Sequence, residues 1–234
     1  MNAPSARCHA LVPCAGTGSR AGGTLPKQYA SIAGRAMVAH TLDALARVPR
    51  IAATLVVLAP DDDLFERHVP GFGGWVARVG GATRAQSVVN GLAALAARGA
   101  SEHDWVLVHD AARCLVRPGS IERLIDACES DAVGGLLALP LADTLKQQQG
   151  DDAAPRVAAT LDRRGKWVAQ TPQMFRCDLL ARALAAAGPD VTDESAAIEA
   201  SGLAPRLVRG SVDNLKVTWP EDFAIAEMLL RGRG

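Results

Sequence analysis

The sequence predicts a three-layered α/β fold with a mostly parallel sheet, and three observations carry that reading. Short apolar runs rich in β-branched residues alternate with segments whose apolar residues recur at helical spacing. The runs are apolar throughout rather than at every second position, as strands covered on both faces are. Glycine-rich turns follow two of the runs, at the strand ends where ligands bind in open sheets.

Cys8–Pro13 reads as the first buried strand and leads into a loop with Gly16, Gly18, Gly22 and Gly23. Residues 36–48 read as a helix that Pro49 ends, 53–59 as a second strand, and 75–79 as a third. A helix over 83–97 follows Gly80-Gly81, and Trp105–Val108 is a fourth strand ending in His109-Asp110-Ala-Ala-Arg113. Arg117-Pro118-Gly119-Ser120 opens a helix over 121–128, and 133–139 is a fifth apolar strand. From 140 to 164 two short extended segments flank a polar tip, which predicts a projecting β-hairpin arm or, more plainly, a surface loop. The core pattern resumes at Trp167, with helices over Cys177–Ala187 and 196–201. Then come a strand at Arg206–Arg209, an extended piece over 213–218 and a last helix to Leu230. The whole of 1–234 reads as one domain carrying the arm.

Hydrophobic residues make up 49% of the 234 and charged residues 21%, enough apolar content for a sizeable core. Twenty-five basic residues balance twenty-five acidic ones, so any phosphate recognition is local and aimed at a small molecule rather than at nucleic acid. The five cysteines never fall as C-x-x-C, and they read as free thiols of a reducing compartment. No apolar run approaches the roughly 18 residues of a membrane span. Residues 1–10 lack a signal peptide's apolar core, so a cytoplasmic protein that does not engage membranes is expected.

The loop after the first strand carries Arg20 and Lys27 among its glycines. Glycines let backbone N–H groups approach an anion, and cations spaced along such a loop suit a triphosphate. Gly16-x-Gly18 superficially fits a dinucleotide fingerprint, but the acid that should end the second strand is missing; acids first follow it at Asp61. An ordinary strand-to-helix turn is the bland alternative. Gly80-Gly81 with Ser87 allows a flat ring to lie on backbone, or is a plain turn capped by Thr83. Asp110 suits a metal ion or a ribose and Arg113 an anionic group, or the pair simply ties a loop. Read locally, Arg163 and Lys216 are solvated surface charges.

Taken in order, the pieces resemble a known family. They are Ala15-Gly-Thr-Gly-Ser-Arg20, Pro26-Lys27-Gln28-Tyr29, Gly80-Gly-Ala-Thr-Arg84-Ala-x-Ser87-Val, and Val108-His-Asp-Ala-Ala-Arg113. Asp143-Thr144, Thr171-Pro172-Gln173, Thr192-Asp193-Glu194 and Asn214-Leu-Lys216-Val-Thr218-x-Pro220-Glu-Asp222 follow. The set is similar to the 2-C-methyl-D-erythritol 4-phosphate cytidylyltransferases of the non-mevalonate isoprenoid pathway. The resemblance implies a three-layer α/β/α Rossmann-like nucleotidyltransferase fold and transfer of a cytidylyl group from CTP to methylerythritol phosphate. It also implies Mg2+ or a similar divalent ion, and a homodimer joined through the arms. By the same likeness Ala15, Gly16, Gly18, Gly81, Arg84 and Ser87 serve the nucleotide. Arg20, Lys27, Arg163 and Lys216 act in catalysis. Asp110, Arg113, Thr144, Arg163 and Thr171 serve the acceptor, with Asp110 also the candidate metal ligand. Thr144 and Arg163 would come from the neighbouring subunit.

The residue types agree with that chemistry. A phosphate monoester already carries negative charge, so in-line attack on the α-phosphorus needs positioned cations rather than a strong base. A cytidylyltransferase for another polyol phosphate, such as ribitol 5-phosphate, is the nearest alternative. A sugar-phosphate nucleotidyltransferase using GTP or UTP and a regulatory nucleotide-binding module lie further off. Two departures border the proposed site: Cys14 stands where alanine is usual and Cys114 where proline is usual. They suggest thiol sensitivity and a looser loop around Arg113.

Overall fold

The computed structural model describes residues 6–16, 25–150, 153–188 and 191–233. In chain order, β1 (Cys8–Pro13) is followed by a 3₁₀ turn at Lys27–Tyr29 and by the two-residue strands β2 (Ser31–Ile32) and β3 (Arg35–Ala36). Then come α1 (Met37–Ala46), β4 (Ile51–Val57), α2 (Phe65–His68), β5 (Trp75–Ala77), α3 (Arg84–Ala96), β6 (Trp105–Val108) and α4 (Pro118–Cys128). After β7 (Gly134–Pro140) the arm is formed by β8 (Leu145–Gln149) and β9 (Arg156–Leu161). The chain closes with β10 (Trp167–Arg176), α5 (Cys177–Ala187), α6 (Glu194–Ala200), β11 (Arg206–Arg209) and α7 (Pro220–Arg231).

The main sheet has seven strands in the order β11-β7-β10-β6-β1-β4-β5. Its neighbours are parallel except where β10 runs against β6 and β7. The chain therefore leaves β1 towards β4 and β5, then returns to β6 on the other side of β1. Between β1 and β6 the connections diverge, which opens a crevice at the strands' carboxyl ends. β10 bulges between Ala169 and Gln173, where the Thr171–Pro172 peptide is cis; proline donates no ladder bond, so it belongs at such a bulge.

Strand alternation divides the core between two layers. Ala10 and Val12 of β1 join a cluster with α1 and α4, while Leu11 faces a second cluster with α3, α5 and α6. This is why β1 is apolar at successive positions: both of its faces are covered. Leu11, Leu55 and Leu107 are fully buried, and each such side chain contributes about 2 kcal/mol. A Cβ on Gly91 of α3 would stand 2.8 Å from Leu11 Cδ1 and Val57 Cγ2, so this helix sits close enough to the sheet to require glycine there. A third, smaller cluster joins Ala112, Leu115 and Val217 to Ala226 of α7.

Helix starts follow local rules. Thr83 caps α3 by accepting from the Gln86 N–H, Asp193 caps α6 at Ala196, and Asp222 accepts from the N–H groups of Thr218 and Trp219. Residues 213–218, read as an extended piece, form a loop without ladder pairing. The arm is a hairpin, as its flanking segments predicted, and it shares no ladder with the main sheet. Among the described residues no helix is long and apolar enough to cross a membrane.

Candidate active site

At the β1–β6 crevice the structure has a cavity of about 460 Å³. Its walls come from Ala15 and Gly16 after β1, Lys27, Gly81 to Arg84 after β5, Ser87 of α3, Asp110 after β6, and Lys216. Backbone contacts draw these loops together. Cys14 and Gly80 donate to the carbonyls of Val57 and Leu58 at 2.8 Å, and the Gln28 side-chain amide donates to the Cys14 carbonyl at 3.1 Å. A Cβ at Gly80 would collide with Ala15 and with the Leu58 carbonyl, so the two glycine turns touch only because Gly80 has no side chain. By contrast, a Cβ at Gly16 meets nothing within 4 Å. The Ser87 hydroxyl accepts from the Gly81 N–H and donates to the Thr83 carbonyl, so it shapes the second turn from inside.

Charge is arranged as an alternating chain. Glu194, fully buried, accepts from Arg84 Nη1 and Nη2 at 2.7 and 3.1 Å. Arg84 Nε donates to Asp110 Oδ1 at 2.8 Å, and Lys216 Nζ lies 2.9 Å from Asp110 Oδ2. Burial would raise the Asp110 pKa, but Arg84 and Lys216 outweigh it and hold the carboxyl well below the usual carboxylate range. Burial pushes Glu194 up, and its pairing with Arg84 only partly offsets this. Lys27 Nζ donates to the Val217 carbonyl at 2.7 Å, and the Val217 N–H donates to the Ala112 carbonyl. The 213–218 loop is thereby strapped across the site with Lys27 on one side and the β6 loop on the other.

Under the cavity, His109 is wholly buried, and burial lowers its pKa to about 4. Its Nε2 faces the Arg113 carbonyl at 3.2 Å, so Nε2 carries the proton and Nδ1 accepts from the Thr171 hydroxyl at 3.0 Å. The same hydroxyl accepts from the Asp110 N–H at 3.0 Å. Arg113 donates to the carbonyls of Asn214 and Ala169, and its Nε, 3.9 Å from Asp110, is buried without a hydrogen bond.

The family model described as 2-C-methyl-D-erythritol 4-phosphate cytidylyltransferase matches residues 8–232. The chain belongs to the 2-C-methyl-D-erythritol 4-phosphate cytidylyltransferase family. It is 53% identical over 232 residues to the 2-C-methyl-D-erythritol 4-phosphate cytidylyltransferase of Laribacter hongkongensis, covering 96% of each chain. A bifunctional enzyme IspD/IspF of Albidiferax ferrireducens is 61% identical over 228 residues; these cover 97% of this chain but 54% of that protein. Among solved structures, a 4-diphosphocytidyl-2C-methyl-D-erythritol synthase superposes with a TM-score of 0.85 at 40% identity, over 97% of this chain and 100% of that one. Membership makes the chain a nucleotidyltransferase with the α/β fold that the strand pattern predicts.

Of the residues singled out for this cytidylyltransferase site, Ala15, Gly16, Lys27, Gly81, Arg84, Ser87, Asp110 and Lys216 are brought together around the cavity. Gly18 and Arg20 lie outside the described residues. Lys216, locally a solvated charge, is instead ion-paired to Asp110. Thr171 is buried beneath the β6 loop, where its hydroxyl accepts from the Asp110 N–H and donates to His109, and it does not line the cavity. Arg113 stands behind Asp110 and off the cavity lining. Thr144 and Arg163 are exposed at the base of the arm and do not line the cavity of their own chain. The thiols also depart from expectation, since Cys14 and Cys114 are 3% and 2% exposed and burial raises both pKa values, Cys114 to about 11. The Cys114 loop is tied by the N–H groups of Arg113 and Val116. Sequence reading gave Glu194 no role beyond its place in the Thr192-Asp193-Glu194 motif, and locally it is an acid in a helix's first turn.

Proposed function

We infer that the chain joins CTP to 2-C-methyl-D-erythritol 4-phosphate, giving 4-diphosphocytidyl-2-C-methyl-D-erythritol and pyrophosphate. The observation that carries this reading is the convergence of two glycine turns, Lys27, Lys216 and Asp110 on one cavity at the β1–β6 crevice. Ala15, Gly16, Gly18, Gly81 and Ser87 form the nucleotide cradle, with Arg84 bracing it. The acceptor's phosphate oxygen attacks the α-phosphorus while pyrophosphate leaves on the opposite side. Lys216 and Lys27, joined by Arg20, neutralise the charge that builds on the phosphorus. Asp110 and Arg113 form the acceptor wall.

Among the described residues no group of three or more His, Cys, Asp or Glu side chains could hold a metal, and Asp110 is the acid in the cavity lining. Its two oxygens are taken by Arg84 and Lys216, so Asp110 does not fit the role of a metal ligand. A magnesium ion delivered on the triphosphate would keep phosphate and water ligands, and when bound would draw charge from the phosphate oxygens.

Thr144 and Arg163 complete the acceptor site of a second copy, which makes the working form a homodimer through the arms. The exposure of Val157, Leu161, Trp167 and Val168 along the arm and its base supports this. Five free cysteines support a cytoplasmic location. The deciding experiment is pyrophosphate release from CTP with each purified polyol phosphate. Turnover with methylerythritol phosphate is expected, and a preference for ribitol 5-phosphate overturns the assignment.

A further inference from the structure

We propose that Glu194 is a positioning residue for the transfer: by engaging both terminal nitrogens of Arg84 it leaves Nε to brace Asp110, so that Asp110 holds Lys216 at the cavity. The proposal rests on the cytidylyl-transfer reading above.

Lys216 sits in a loop without ladder pairing, and its side chain is 41% exposed. Its ion pair with Asp110 restrains the ammonium group. Asp110 offers two oxygens, and each is taken by a different cation, Oδ1 by Arg84 and Oδ2 by Lys216. A guanidinium left to itself grips a carboxylate through two parallel bonds. Arg84 does so with Glu194, not with Asp110. Without the Glu194 charge, the terminal nitrogens of Arg84 would turn to Asp110 and compete with Lys216 for Oδ2.

Glu194 is itself held for the task. Gln173 of β10 donates to Asp193 Oδ2 at 2.9 Å and accepts from the Ser195 N–H at 2.7 Å, clamping the backbone on both sides of Glu194. Asp193 also receives the Ser195 hydroxyl and the Ala196 N–H. The carboxylate thus comes from a rigid helix start rather than from a free surface side chain.

The test compares the unaltered chain with Glu194→Gln, Arg84→Gln and the double variant. The measurements are kcat, KM for CTP and thermal unfolding, with methylerythritol phosphate as acceptor. Glu194→Gln is expected to lower kcat about 10- to 100-fold while KM for CTP moves less than about threefold, since displaced transition-state groups act on rate more than on binding. In the Arg84→Gln background, Glu194→Gln is expected to lower kcat no further, because the two act as one unit. The double variant leaves neither charge buried alone, so it decides the matter if a single variant fails to fold: a folded double variant with low kcat supports the proposal. Wild-type kcat in Glu194→Gln or in the double variant overturns it, as do losses that multiply. No turnover by the unaltered chain overturns the functional reading as well, whereas normal turnover with insensitive variants overturns this proposal alone.

Discussion

The cavity at the β1–β6 crevice and the arm of β8 and β9 are stabilised on opposite terms. Around the cavity, His109, Asp110 and Glu194 are buried, and their bonds reach residues as many as 110 positions away. The arm holds itself by one antiparallel ladder, and most of its residues are exposed. A two-stranded hairpin alone is marginal in water. The described part of the cavity is therefore held by long-range polar contacts, while the arm leaves apolar side chains such as Val157 and Leu161 exposed. The two regions should fail differently when disturbed.

Deleting residues 145–160 tests the contrast most severely. If the proposed cross-subunit site holds, the deletion should lower kcat/KM by about a thousandfold, because Thr144 and Arg163 lose the arm proposed to carry them to a second copy. Sedimentation should then show a monomer whose thermal unfolding is nearly unchanged, and a fully active monomer would refute the shared site. Lys27→Ala acts inside the cavity and should reduce kcat about 100- to 1,000-fold in a pyrophosphate-release assay. Full turnover by that variant would remove Lys27 from catalysis while leaving nucleotide binding open.

Acid should separate the regions through stability. His109 is neutral in both folded and unfolded chains above pH of about 6.5. As the pH falls from there towards the folded value of about 4, the unfolded chain takes up a proton that the folded one refuses. The stability at stake, about 3 kcal/mol, is present in full above the unfolded pKa and is lost by the time the pH falls below the folded one. Urea unfolding over that range should show the slope, and His109→Gln should flatten it. On the arm, Arg164 lowers the Asp162 pKa as well, but both side chains are open to solvent, and Asp162→Asn should leave the unfolding curve where it was. Gly80→Ala strikes where the two turns meet: the added methyl presses on Ala15 and the Leu58 carbonyl, and overpacking of this kind costs about 1–3 kcal/mol. Calorimetry should find weaker CTP binding together with this lowered stability; unchanged CTP affinity would mean that the two turns can part without harm.

Much of the frame is legible from local pattern. Cys8–Pro13, Trp105–Val108, Cys177–Ala187 and Arg206–Arg209 are found where apolar runs and helical spacing put them. The strands β2 and β3 escaped, since two residues carry no period, and α2 is a single turn. Residues 213–218 alternate as a strand would, yet no neighbour offers them a ladder; their backbone serves Arg113 and Lys27 instead. The resemblance assigns Thr171 to the acceptor, and no local pattern shows that its hydroxyl bonds two groups some 60 positions earlier in the chain.

By itself the sequence determined the alternation of strand and helix, the glycine turns that must end β1 and β5, and the ordered motifs that mark the family. These are properties of neighbours along the chain, where side-chain periodicity and glycine's missing Cβ act over a few residues. Only the tertiary structure decided which charges meet. Glu194, Arg84, Asp110 and Lys216 lie on four separate segments, and an ion pair forms only after the sheet order and the α6 clamp have brought them within about 3 Å.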